Sequence, residues 1–162
     1  MNKELIINAA PQGVEIALLE DKKLVELHHE KADASFAVGD LYLGKVKKLI
    51  PGLNAAFVDV GFEKDAFLHY TDLSPYVRSL LKFTTQAIND AGTTNFDFGS
   101  FQVEPEIVKT GKINEVLSGK PNILVQILKE PIAAKGPRLS CEISLPGRFV
   151  VITPFNLSLI HI

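Results

Sequence analysis

Phe57, Phe67 and His69 are flat rings set at even spacing in two short apolar runs, and flat rings offer stacking. In Ala56-Phe57-Val58-Asp59-Val60 a period of two groups Ala56, Val58 and Val60 against Phe57 and Asp59. In Asp65-Ala66-Phe67-Leu68-His69-Tyr70 it groups Ala66, Leu68 and Tyr70 against Asp65, Phe67 and His69. The branched aliphatic face belongs to a core, so the rings point outward. A turn centred near Phe62 sets Phe57 opposite Phe67, with Lys45 and Lys47 on a neighbouring strand. Exposed aromatics beside lysines form a platform for unstacked bases, each stack contributing about 1–3 kcal/mol while the ammonium groups meet phosphates. The competing reading is that both rings are covered, by residues 83–112 or by a domain interface. The same register puts Asp59 across from Asp65, a like-charge pair that a bulge at Gly61 would relieve.

Other reactive residue types are scattered. Lys129 and Lys135 bracket the loop 130–136, with Arg138 just beyond, and either rim the same face or belong to a solvated loop. Gly44 inside a strand marks a coil in a barrel or a close backbone approach. His28 and His29 are adjacent and point opposite ways on a strand, a poor metal pair. Cys141 is the single cysteine and reads as buried packing rather than a nucleophile. Asp90, Asp97, Glu104 and Glu106 are spaced as a solvated acidic loop, with a divalent ion as the lesser alternative. Neither a phosphate-binding glycine loop nor a nucleophile elbow is present. No catalytic residue and no metal ligand is therefore assigned.

These residues must be held by mostly β elements. Apolar segments at Glu4–Asn8 and across 14–30 read as a strand followed by a hairpin, and Arg148–Thr153 reads as a candidate partner strand. Leu41–Ile50, Leu53–Val60 and Asp65–Tyr70 follow as strands, and Ser74-Pro75 opens a helix with a stripe of Val77, Leu80, Leu81 and Ile88. Strands return at Ile123–Leu128 and Arg138–Ile143. Residues 83–112, without Lys or Arg until Lys109, read as a long acidic inserted loop. Five strands with a helix between the third and fourth predict a five-stranded Greek-key barrel of the OB type.

Composition agrees with one ordinary domain, or one plus an annex. The 162 residues are 46% hydrophobic and 22% charged, which excludes wholesale disorder. No apolar run reaches the roughly 18 residues of a membrane helix, and the apolar stretch near the amino terminus is too short for a secretory signal. One cysteine suits a reducing compartment, so the expected location is cytoplasmic. The net charge of −2 hides a pattern, since residues 1–35 carry −3, 36–82 carry +1, 83–108 carry −4 and 109–162 carry +4. A unit built from 36–82 and 109–142 is basic, as a polyanion partner requires.

Val38-Gly39-Asp40-Leu41-Tyr42-Leu43-Gly44-Lys45-Val46, Asn54-Ala55-Ala56-Phe57-Val58-Asp59-Val60-Gly61 and Ala66-Phe67-Leu68-His69 resemble an S1-type RNA-binding domain. With Leu5-Ile6-Ile7-Asn8 before them and Val125-Gln126-Ile127, Lys135-Gly136 and Ser144-Leu145-Pro146-Gly147-Arg148 after, the series resembles the amino-terminal part of the ribonuclease E/G family of endoribonucleases. The resemblance implies an S1-like domain at 36–142, with 83–112 inserted in it. That domain would be set into a partial ribonuclease-H-like sheet made of 1–35 plus 143–162. It implies single-stranded RNA as partner and RNA contacts at Phe57, Phe67 and Lys135. His69, Lys45 and Lys129 are added from the outward face. The full-length family is expected to use Mg²⁺ on two Asp carboxylates, to bind structural Zn²⁺ and to be homo-oligomeric. None of those groups matches a residue of this chain, so this stretch is expected to bind RNA and to be catalytically inactive. Leu157–Ile162 departs from the family's pattern, which marks that tail as foreign to it. The alternatives are a non-enzymatic S1-domain RNA-binding protein and an OB module that binds a polypeptide.

Overall fold

Alternating apolar residues become strands over most of the chain. The computed structural model describes residues 2–31, 36–89 and 101–155. The chain divides into two units, 1–35 and 36–162.

The first unit is an antiparallel sheet of β1 (Lys3–Ala10), β2 (Gly13–Glu20) and β3 (Lys23–Lys31). Its registers place Leu5 beside Leu18 and Ile7 beside Ile16 on one face, and Ile6 beside Ala17 and Leu27 on the other. Both faces are thus apolar, and Leu5, Ile7 and Leu27 are each about 60% exposed. His28 and His29 point to opposite faces, where Glu26 and Glu15 approach them.

The second unit is a closed barrel in the order β4-β5-β6-β8-β7. Its strands are β4 (Leu41–Ile50), β5 (Ala55–Asp59), β6 (Ala66–His69), β7 (Asn122–Lys129) and β8 (Arg138–Ser140). Five strands, closed, with a helix between the third and fourth, is the OB-type architecture read from the sequence. Val46, Ala56, Val58, Ala66, Leu68, Ile123, Val125, Ile127 and Leu139 fill the interior. Gly44 faces inward, and a Cβ there would stand 2.5 Å from a Val58 methyl, so it marks a close approach of β4 to β5.

Helix α1 (Val77–Asn89) lies between β6 and β7 and buries Val77 and Leu80. The Ser74 hydroxyl accepts from the Tyr76 N–H, one turn before the helix proper. Two expectations change here. The segment 83–112 starts as two further turns of α1, because Phe83 and Thr84 continue the helix and Thr84 donates to the Leu80 carbonyl. Ile88 lies too far along the helix to pack fully and is 39% exposed. The second change is helix α2 (Ile113–Leu117), which the sequence reading omits. This short helix buries Ile113 and Leu117 completely, and its first N–H groups are met from a distant strand end, where Asn54 Oδ1 accepts from Ile113 N at 2.7 Å. Such a cap is invisible to a local reading, which looks for it in the residue just before the helix.

A smaller correction concerns the strand expected at Leu53–Val60. Leu53 instead ends a 3₁₀ turn at Pro51–Leu53, closed by Asn54 at φ 49°, so the strand begins at Ala55. The last two strands, β9 (Leu145–Pro146) and β10 (Val151–Ile152), pair with each other. Gly147 N donates to Val150 O and folds the chain back between them. Asp90 and Asp97 of the acidic segment, and Leu157–Ile162, lie outside the described residues.

Candidate nucleic-acid interface

Phe57 and Phe67 are register partners on the outer face of the β5-β6 hairpin. Their ring centroids are 6.0 Å apart and the planes meet at 67°, while both rings stay partly exposed. The pairing follows from the inward partners on either side, Ala56 with Leu68 and Val58 with Ala66, since a one-residue slip would expose all four. His69 continues the face, with its ring centroid 6.4 Å from that of Phe67 and the planes within 28°. Its Nδ1 accepts from the Thr71 N–H and contacts the Thr71 hydroxyl at 2.7 Å, which leaves the ring hydrogen on Nε2.

Lys135 reaches the same place from another element. Phe57, Phe67, Lys64, Asp65, Lys135, Gly136 and Arg138 line one open groove. Gly136 brings the 130–137 loop there, because a Cβ on it would collide with Asp65 O and stand 2.8 Å from Lys64 O, both backbone atoms. Phe67 N donates to Pro137 O at 2.8 Å and fastens the other side of the loop.

The registers define a row that runs across all five strands. Lys48 pairs with Phe57, Phe57 with Phe67, Phe67 with Arg138, and Arg138 with Lys129. Two bulges make this row. One between Val46 and Lys48 brings Lys48 rather than Lys47 beside Phe57. The other, between Ile127 and Lys129, brings Lys129 rather than Leu128 beside Arg138. Bulges of this kind re-aim a side chain without moving the core. Lys45 does not join the row, since it pairs with Asp59 on one side and Asn122 on the other.

The cations differ in what already binds them. Arg138 grips Asp72 through two nitrogens, Nε to Oδ2 at 2.9 Å and Nη2 to Oδ2 at 2.8 Å. Lys47 lies 2.9 Å from Asp59 and 3.1 Å from Asp65. The carboxylate pair expected to clash, with relief from a bulge at Gly61, is thus bridged by one ammonium group instead. Hydrogen bonds that Lys47 donates to Asp59 and then to Asp65 hold its ammonium above the ordinary amine range. The Lys47 and Gly61 hydrogen bonds hold Asp59 below the usual carboxylate range. Lys48, Lys129 and Lys135 are exposed and form no ion pair with another described residue.

The sequence reading missed Lys48. The only signal was a Lys-Lys pair, and alternation from Lys45 chooses the wrong one when a bulge intervenes. Cys141 is buried, and burial followed by the Asp72 charge pushes its thiol pKa up, far from reactive. Glu104 is engaged by Lys82 at 2.7 Å. Among the described residues no group of three or more His, Cys, Asp or Glu could hold a metal ion.

Over 153 residues, 94% of its length, the chain is 35% identical to a ribonuclease G from Haemophilus influenzae. It is 32% identical over 154 residues to ribonuclease G from Escherichia coli, and 35% identical over 162 aligned residues to a ribonuclease E from a Nostoc species. The chain spans 27% of the length of the two ribonuclease G relatives and 18% of the ribonuclease E. No family model matches the chain.

Proposed function

We propose that this chain, a member of the ribonuclease E/G family, is the single-stranded-RNA-binding part of an endoribonuclease of rRNA and mRNA processing and decay. The observation that carries the reading is the outward pair Phe57 and Phe67 with Lys135 in the same groove. Two partly exposed rings give two unstacked bases a surface, and the lysine meets the backbone between them. His69 extends the stack and donates from Nε2. On this reading 36–142 is the S1-like RNA-binding domain, and 1–35 with 143–162 belongs to a ribonuclease-H-like subdomain. The two apolar faces of the amino-terminal sheet favour that division, because a sheet of this kind is completed by packing on both sides.

Phosphodiester cleavage belongs to the larger protein. The Mg²⁺ and Zn²⁺ expected of the full-length family are assigned to no residue of this chain, and among the described residues no group of three or more His, Cys, Asp or Glu could hold a metal ion. The contribution of these residues is to bind and orient RNA. Two stacks at about 1–3 kcal/mol each predict an affinity of roughly tens of millimolar to tens of micromolar for the isolated chain. Several such chains in a homo-oligomeric parent would bind far more tightly through simultaneous contacts.

The test is an anisotropy titration of a short fluorescent oligouridylate with the chain and with Phe57→Ala. Binding that falls with salt between about 50 and about 200 mM, and that weakens roughly 5- to 150-fold in the variant, is the expected result. Equal affinity in the two proteins, or binding indifferent to salt, overturns the reading.

A further inference from the structure

Four cationic side chains crowd the β4 and β8 flanks of the aromatic pair, and the structure sorts them. Lys47 is held by two carboxylates and Arg138 by one. Counted together, Lys47, Asp59 and Asp65 carry a net charge of −1, so the Lys47 ammonium has no charge to spare for a phosphate. Lys45 pairs with Asp59 rather than with a ring. Lys48 is the remaining one. It is the register partner of Phe57, it is exposed, and it forms no ion pair with another described residue.

We infer that Lys48 is a second phosphate-binding residue, placed by the β4 bulge so that an RNA strand crosses the aromatic pair between Lys48 on one flank and the Lys135 groove on the other. The inference rests on the RNA-binding reading above and adds the path of the strand to it. Neighbouring strands lie about 4.8 Å apart, so the Lys48 ammonium is within reach of the phosphate joined to a nucleotide stacked on Phe57. The contact is electrostatic and indifferent to base identity, and it sets direction across the strands rather than along them. The same bulge sends Lys47 to Asp59 and Asp65, so one backbone irregularity separates a structural lysine from a ligand-binding one.

The experiment is a salt series of the anisotropy titration with oligouridylate, using the whole chain, Phe57→Ala, Lys48→Ala and Lys48→Arg. A released counterion on a single strand contributes about 0.7 to the slope of log affinity against log salt. Lys48→Ala is expected to flatten the slope by about that amount, and Lys48→Arg to restore it, with unchanged melting temperatures. An unchanged slope in Lys48→Ala, while Phe57→Ala still loses binding, overturns the inference and leaves the RNA-binding reading standing. Absence of salt-sensitive binding by the unaltered chain overturns both.

Discussion

Asp59 and Asp65 stand side by side at the closed end of the β5-β6 hairpin and share one counter-charge, the Lys47 ammonium at 2.9 and 3.1 Å. All three groups are at the surface, so the arrangement acts by orienting the hairpin end more than by adding stability. Lys47 reaches both carboxylates because the β4 bulge leaves it without a cross-strand partner of its own.

The pH response of that cluster is a first prediction. Asp59 titrates lower in the folded chain than unfolded, so its contribution is present above the ordinary carboxylate range and is lost as pH falls through the lowered folded value. Lys47 titrates higher when folded, so its contribution is present below the ordinary amine pKa and is lost as pH rises through the raised folded value. Lys47→Ala leaves two carboxylates facing each other, and acidification should then relieve repulsion. Melting temperature against pH should therefore fall on acidification less steeply in the variant than in the parent chain. Parallel curves would mean that these ion pairs are not held in solution.

Gly136 supplies a second. An added methyl would meet the Lys64 and Asp65 carbonyl oxygens, which are backbone and do not swing aside. Gly136→Ala should push the 130–137 loop off the hairpin at a cost of about 1–3 kcal/mol, lowering the melting temperature by several degrees. Lys135 would leave the groove with the loop, so affinity for oligouridylate should drop as well. Gly119→Ala is the matched comparison, since open space surrounds Gly119 and neither property should change appreciably.

Cys141 yields the third. Its sulfur is buried, and the thiol is pushed well above its ordinary range by burial and then by the Asp72 charge. Alkylation by iodoacetamide in mildly alkaline buffer should be on the order of a hundredfold slower than for an exposed cysteine, and complete in denaturant. Rapid labelling of the folded chain would show that the segment just after β8 opens locally.

Alternation of side chains was enough to place Phe57 opposite Phe67, because their inward neighbours leave only one register that buries Ala56, Val58, Ala66 and Leu68 together. The five barrel strands, the helix after Ser74 and the barrel class followed from the same short-range pattern, in which each residue's face depends on its immediate neighbours. The tertiary structure decided everything carried by contacts between distant segments. Asn54 caps a helix that begins at Ile113, Gly136 sets a loop against Lys64 and Asp65, and Asp72 occupies Arg138. Two bulges exchanged Lys47 for Lys48 and Leu128 for Lys129 on the outer face. A bulge is set by how two strands must curve to close a barrel, and that requirement exists only once all five strands are assembled.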